Sequence, residues 1–205
     1  MIVALTALLG AALYAAAGYG GVRAAEYLIP KLQPFEDGPE PREVNVLALV
    51  GGGALLGFIV GFKLAPLPDL ILYAILTGAL VAIWYCDVRT GIVPDLFTLV
   101  PLAVGALIAL FRHEYWALLS AAVVGLPFAG AALLSRGRGM GWGDAKLAAL
   151  GGLILGMLTG TFLFGLASLT AVIVSAVRNR AKPVPVAFAP YLVSAIAVGI
   201  ALGVR

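Results

Sequence analysis

Residues 145–177, AKLAALGGLILGMLTGTFLFGLASLTAVIVSAV, carry a single charge, Lys146, in an otherwise apolar run. As one helix this run would be about 50 Å long at 1.5 Å per residue, well beyond a ~30 Å hydrocarbon core. It is just long enough for two short helices, with the turn expected at TGT, Thr159–Thr161. That choice decides whether the chain crosses a membrane seven or eight times, and on which side its last residues lie.

Working outward, further apolar spans are read at 2–22, 44–62, 68–87, 96–111, 115–135 and 188–204. Charge then separates the two counts. With eight spans and an outward N-terminus, the cytoplasmic loops hold Arg23, Lys31, Arg42, Arg89, Arg136, Arg138, Lys146, Arg178, Arg180 and Lys182. The opposite side holds Lys63, Arg112 and Arg205, a split of ten against three. With seven spans, Arg178, Arg180, Lys182 and Arg205 change sides and the split falls to eight against five. Positive residues favour the cytoplasm, so the expectation is an all-α polytopic membrane protein of about eight transmembrane helices, both termini on the non-cytoplasmic side.

Composition agrees. The chain is 62% hydrophobic and 11% charged, where a soluble domain carries about a quarter charged residues. The net charge of +3 reads as orienting charge, with the lipid bilayer rather than nucleic acid as the partner. The single cysteine, Cys86, excludes an intrachain disulfide and a cysteine-rich zinc site, and no metal is expected. The first residues lack the basic start of a secretory signal and read as a retained first span. Residues 1–67 form a two-helix region with a cytoplasmic loop at 23–43, and 68–205 a second, larger membrane region. Gly53, Gly57 and Gly61, and again Gly152, Gly156 and Gly160, recur every four residues. Such small-residue rows read as seams where helices approach closely.

Ten acids are available for chemistry. Glu26, Glu36, Asp37, Glu40 and Glu43 fall in the first loop, and Asp69 and Glu114 at outer helix ends, all read as solvated. Asp95 follows Pro94 and reads as the opening of the fourth span. Asp87 closes the third span, and Asp144 opens the sixth on the same cytoplasmic side. Each alone is open to a structural reading, as solvated charge or as a helix cap. Gly139, Gly141 and Gly143 alternate before Asp144, however. A plain cap does not need three glycines, whereas a backbone that must approach an extended peptide does. Two carboxylates in a partly dry site share a proton. The ionised member can then draw a proton from water while the protonated one polarises an amide carbonyl, without metal or covalent intermediate.

These residues carry a resemblance. GWGD (141–144) matches the GxGD motif of intramembrane aspartyl proteases, and GMGWGDAKLAALGGLILG (139–156) resembles the type IV prepilin peptidases in particular. DVRTGIVPDLFTL (87–99) is similar to that family's first-aspartate region, and KPVPVAFAPYLVSAIAVG (182–199) to its proline-rich lead-in to the last span. The resemblance covers about 68–204. It implies an inner (plasma) membrane endopeptidase that removes the basic leader from prepilin or pseudopilin substrates at the cytoplasmic face. Asp87 and Asp144 would be the catalytic pair, and Gly141 and Gly143 would shape the loop beside the scissile peptide. The longer bifunctional members add a cytoplasmic domain, often with zinc-binding CxxC pairs, and methylate the new N-terminus with S-adenosylmethionine. The loop at 23–43 has no cysteine, so no cofactor is expected for the peptidase, and S-adenosylmethionine enters only if methylation is present. Two other classes stay open: a proton- or cation-coupled transporter using Asp87 and Asp144 as a relay, and an inactive pilus-assembly membrane protein.

Overall fold

A computed structural model describes residues 2–32, 43–63, 66–136, 140–178 and 187–203. Within them the backbone forms eight α-helices and no strand. In chain order they are α1 (Ile2–Leu28), α2 (Val46–Phe62), α3 (Leu67–Thr90), α4 (Asp95–Phe111), α5 (Tyr115–Leu134), α6 (Trp142–Leu155), α7 (Met157–Arg178) and α8 (Ala189–Leu202), with a single 3-10 turn, Ile29–Lys31, after α1. The ends have local causes. Asn45 caps α2 by accepting a bond from the Ala48 N–H at 3.1 Å. Pro66 and Pro94 precede α3 and α4, and Gly91 stops α3 in the left-handed conformation at φ 69°.

Three expectations change. The first helix does not end at residue 22 but runs to Leu28, so the start of the expected loop at 23–43 is helical. No breaker intervenes before Pro30, and Arg23 pairs with Glu26 one turn on at 2.9 Å. Of that loop, residues 33–42 lie outside the described residues, as do Gly139 and the proline-rich stretch 182–186. The third helix likewise runs past Asp87 to Thr90. The long run at 145–177 does divide in two, but at Gly156 rather than at Thr159–Thr161. Gly156 takes φ 78° and ψ 171°, a combination open essentially to glycine alone. It is therefore a break, not a member of a continuous seam. Gly152 and Gly160 still meet across it, since a Cβ on Gly160 would lie 3.5 Å from the Gly152 Cα.

Among the described residues four helices are long and apolar enough to cross a membrane: α1 with its 3-10 turn, α3, α5 and α7. Helices α2 and α4 have 17 residues each, about 25 Å, and α6 and α8 have 14 each, about 21 Å. These are the features of a multi-pass membrane protein, and side-chain placement shows the same. On α2, Leu47, Leu55, Phe58 and Phe62 are exposed while Gly53, Gly57 and Gly61 are buried. Large apolar groups outside and glycines inside suit lipid, where close packing rather than hydrophobic drive joins helices.

The chain divides into two compact units, residues 1–92 with 200–203, and 93–199. In the first, α1 lies against α2 and α3. A Cβ on Gly57 would stand 2.2 Å from the Gly10 carbonyl oxygen, and one on Gly21 2.1 Å from that of Gly78. Backbone therefore meets backbone along both contacts. In the second, α6 is the hub, touching α4, α5 and α7. Gly151, close to Ile196, brings α8 in as well.

Candidate functional site

The third helix delivers Asp87 in its last turn. There the carbonyl ends of the helix disfavour negative charge, and the residue is 6% exposed. An acid kept at an unfavourable helix end and out of water is not explained by helix formation. The same turn is fastened by Thr90, whose hydroxyl donates to the Cys86 carbonyl at 2.8 Å and accepts from the Ile92 N–H at 3.2 Å. One turn back, Tyr85 is buried with its hydroxyl between Arg89 Nη1 (3.1 Å) and Glu26 Oε1 (3.4 Å). This network ties the end of α3 to α1 within the first unit.

In the second unit, α6 opens at Gly141, with Trp142, Gly143 and Asp144 as its first three residues. Trp142 is half exposed, whereas Asp144 is 9% exposed. Oδ2 of Asp144 accepts from the Gly141 N–H at 3.3 Å, a long bond of the kind an acid at this helix position gives back to the cap residue. The capping reading of Asp144 is thus half realised. The other half would need a side chain that glycine lacks. Oδ1 is buried with no hydrogen-bond partner among the described residues. An acid oxygen left so is costly unless something else reaches it.

The two glycines are not there for unusual dihedrals. Gly141 has φ −76° and ψ 148°, and Gly143 is helical. What they provide is room. A Cβ on Gly141 would lie 3.3 Å from Asp144 Oδ2, and one on Gly143 would lie 2.6 Å from the Val93 Cβ. Val93 thus sits directly on the turn that carries Asp144. Two residues later Asp95, the first residue of α4, accepts from Lys146 Nζ at 2.6 Å.

The second unit therefore gathers Gly141, Gly143 and Asp144 with Val93, Asp95 and Lys146, while Asp87 belongs to the first unit. In the sequence Asp95 reads as a helix opener and Lys146 as an orienting charge, and nothing singles out Val93. Their partners are 50 or more positions away along the chain, and no local pattern signals such a pairing. Among the described residues no three His, Cys, Asp or Glu side chains cluster as a metal set would.

A model of the type IV leader peptidase family matches residues 74–176, just over half of the chain, a range that holds Asp87, Val93, Asp95, Gly141, Gly143, Asp144 and Lys146. No curated protein and no solved structure matches.

Proposed function

The chain belongs to the type IV leader peptidase family, and on that premise we propose that it is an aspartyl endopeptidase removing the basic leader from prepilin-like proteins. Asp87 and Asp144 are its catalytic pair, and Gly141 and Gly143 shape the turn beside them. The observation that carries the reading is Asp144 itself: buried, with one oxygen held by its own turn and the other without a partner among the described residues. Asp87 adds a second buried acid at a helix end that does not favour it.

The chemistry follows from two carboxyls sharing one proton. The ionised carboxylate takes a proton from water as the oxygen attacks the scissile carbonyl carbon. The protonated carboxyl donates to the carbonyl oxygen, giving a neutral tetrahedral diol. The intermediate collapses when the amide nitrogen leaves with a proton from the first carboxyl, and the second recovers its own from the diol. Atoms and protons balance, and the pair returns to its starting state.

The proposed topology has eight spans in a plasma membrane with both termini outside the cytoplasm, the arrangement that collects positive charge on the cytoplasmic side, and leader removal at the cytoplasmic face. Residues 68–205 form the catalytic membrane region in this reading. Methylation of the new N-terminus from S-adenosylmethionine is a separate activity that the same products would reveal. The test is co-expression with a prepilin, following the leader by mass spectrometry in the parent, Asp87→Asn and Asp144→Asn. Leader removal lost in each variant is the expected result, and equal processing in all three would refute the assignment. An extra methylene on the product N-terminus would report methylation. Loss of coupled ion flux in liposomes with leader removal intact would instead favour an ion relay.

A further inference from the structure

Asp144 lies between two points at which α6 is held by one short segment. Just before it, Gly143 leaves the space that Val93 fills, and just after it Lys146 bonds Asp95 at 2.6 Å. Val93, Pro94 and Asp95 are consecutive. Pro94 has φ −68°, fixed by its ring, so the spacing between the apolar and the charged contact is set by a stiff link. We infer that Val93–Asp95 is a clasp that positions the Asp144 turn, with Asp95 and Lys146 as positioning residues and Gly143 a glycine because Val93 occupies its Cβ space. This rests on the assignment of Asp144 as catalytic and deepens it, because the room at Gly143 is then filled by the chain itself and is not a slot for substrate.

A merely stabilising ion pair would be a weak explanation of the contact. The Asp95 side chain is 61% exposed and that of Lys146 29%, and pairs so exposed add little to stability. Geometry is more sensitive than stability here: a displacement of about 1 Å at a reacting group can cost about a hundredfold in rate. Asp95 is exposed and Lys146 half-buried, so neither reversal places a charge in a fully buried site, and folded variants are expected.

The experiment uses the full chain in lipid nanodiscs and a synthetic peptide with a lysine-rich leader, a glycine and an apolar continuation. Turnover and KM are measured for the parent, Asp95→Lys, Lys146→Asp and the doubly reversed protein, with Lys146→Arg as the conservative variant and Asp144→Asn as the control. Amide hydrogen exchange over residues 140–146 is measured on the same samples. Each single reversal should lower kcat about ten- to a hundredfold with KM within about twofold, and speed exchange in that peptide. The double reversal and Lys146→Arg should return both kcat and exchange to within about threefold of the parent. Single reversals without effect on kcat and exchange would overturn the clasp. So would a double reversal that stays as slow as the singles with parent-like exchange, since Lys146 would then act on substrate. An active Asp144→Asn would remove the catalytic assignment alone, and exchange in the reversal series would still decide whether the segment holds the turn.

Discussion

Replacing Gly143 by alanine adds one carbon where the nearest atom, the Val93 Cβ, stands 2.6 Å away, with the two Val93 methyls at 3.2 and 3.3 Å. Carbon atoms rest at about 3.5–4.0 Å, so the overlap is roughly an ångström. It is relieved only by moving Val93 or by moving the turn. Overpacking of this kind costs about 1–3 kcal/mol, partly offset by alanine's better helix propensity of up to about 1 kcal/mol. The fold survives that balance. The position of Asp144, next in the chain, changes by a good part of the overlap, and leader cleavage should fall about a hundredfold. The second substitution identifies the cause. Val93→Ala keeps the offending Cβ and should not restore Gly143→Ala, whereas Val93→Gly removes it and should restore most of the activity. The assay is the initial rate of leader removal from a synthetic prepilin-type peptide, read by mass spectrometry alongside the unfolding temperature of each variant. Full activity in Gly143→Ala would refute the steric argument. Failure of Val93→Gly to rescue would also refute it, because the space at Gly143 would then belong to the substrate.

The glycine contacts of the first unit make a sharper contrast in stability. Gly57→Ala sets a Cβ 2.2 Å from the Gly10 carbonyl oxygen and 2.6 Å from Tyr14 Cγ, while Gly20→Ala meets nothing within 4 Å. Backbone cannot rotate aside, so Gly57→Ala should lose about 1–3 kcal/mol or more and Gly20→Ala should gain up to about 1 kcal/mol. Denaturation in detergent measures both, and equal effects would show that α1 and α2 do not meet on glycine. Gly156→Ala should cost about 1–3 kcal/mol through its φ of 78° and ψ of 171°. An unchanged unfolding midpoint would mean that the break between α6 and α7 does not need that conformation.

How much of this was legible in the sequence depends on the range over which each feature is encoded. The all-helical character and the eight helices of the described residues were legible, because apolar runs and their Pro, Gly and Asn ends are local. That Gly53, Gly57 and Gly61 form a close helix seam was legible too, since a four-residue repeat of small side chains has one obvious use in lipid, whereas its partner, α1, was not. The place of the break at 156 was not. Hydropathy treats Gly152, Gly156 and Gly160 alike, and only the dihedrals show that the middle one turns the chain while the outer two pack. Nor is the end of α1 legible, because a charged stretch reads as loop, whereas Arg23 and Glu26 pair along the helix surface at 2.9 Å.

The turn at 141–144 shows where reading residues one at a time gives the wrong reason for a correct emphasis. Three glycines before an acid suggested backbone freedom and room for a substrate strand. Gly141 and Gly143 in fact keep ordinary dihedrals, and the room beside Gly143 is filled by Val93. Gly143 is thus accounted for by the protein's own packing, and Oδ2 by its return to the Gly141 N–H. A helix cap would need no more than that oxygen. What capping and packing leave over is Oδ1, buried and without a partner among the described residues, so at this turn the functional argument rests on that atom and not on the flexibility of the loop. The Gly143 and Lys146 variants both displace the turn that carries this atom, and their rates should therefore fall together although one change is apolar and the other is charged.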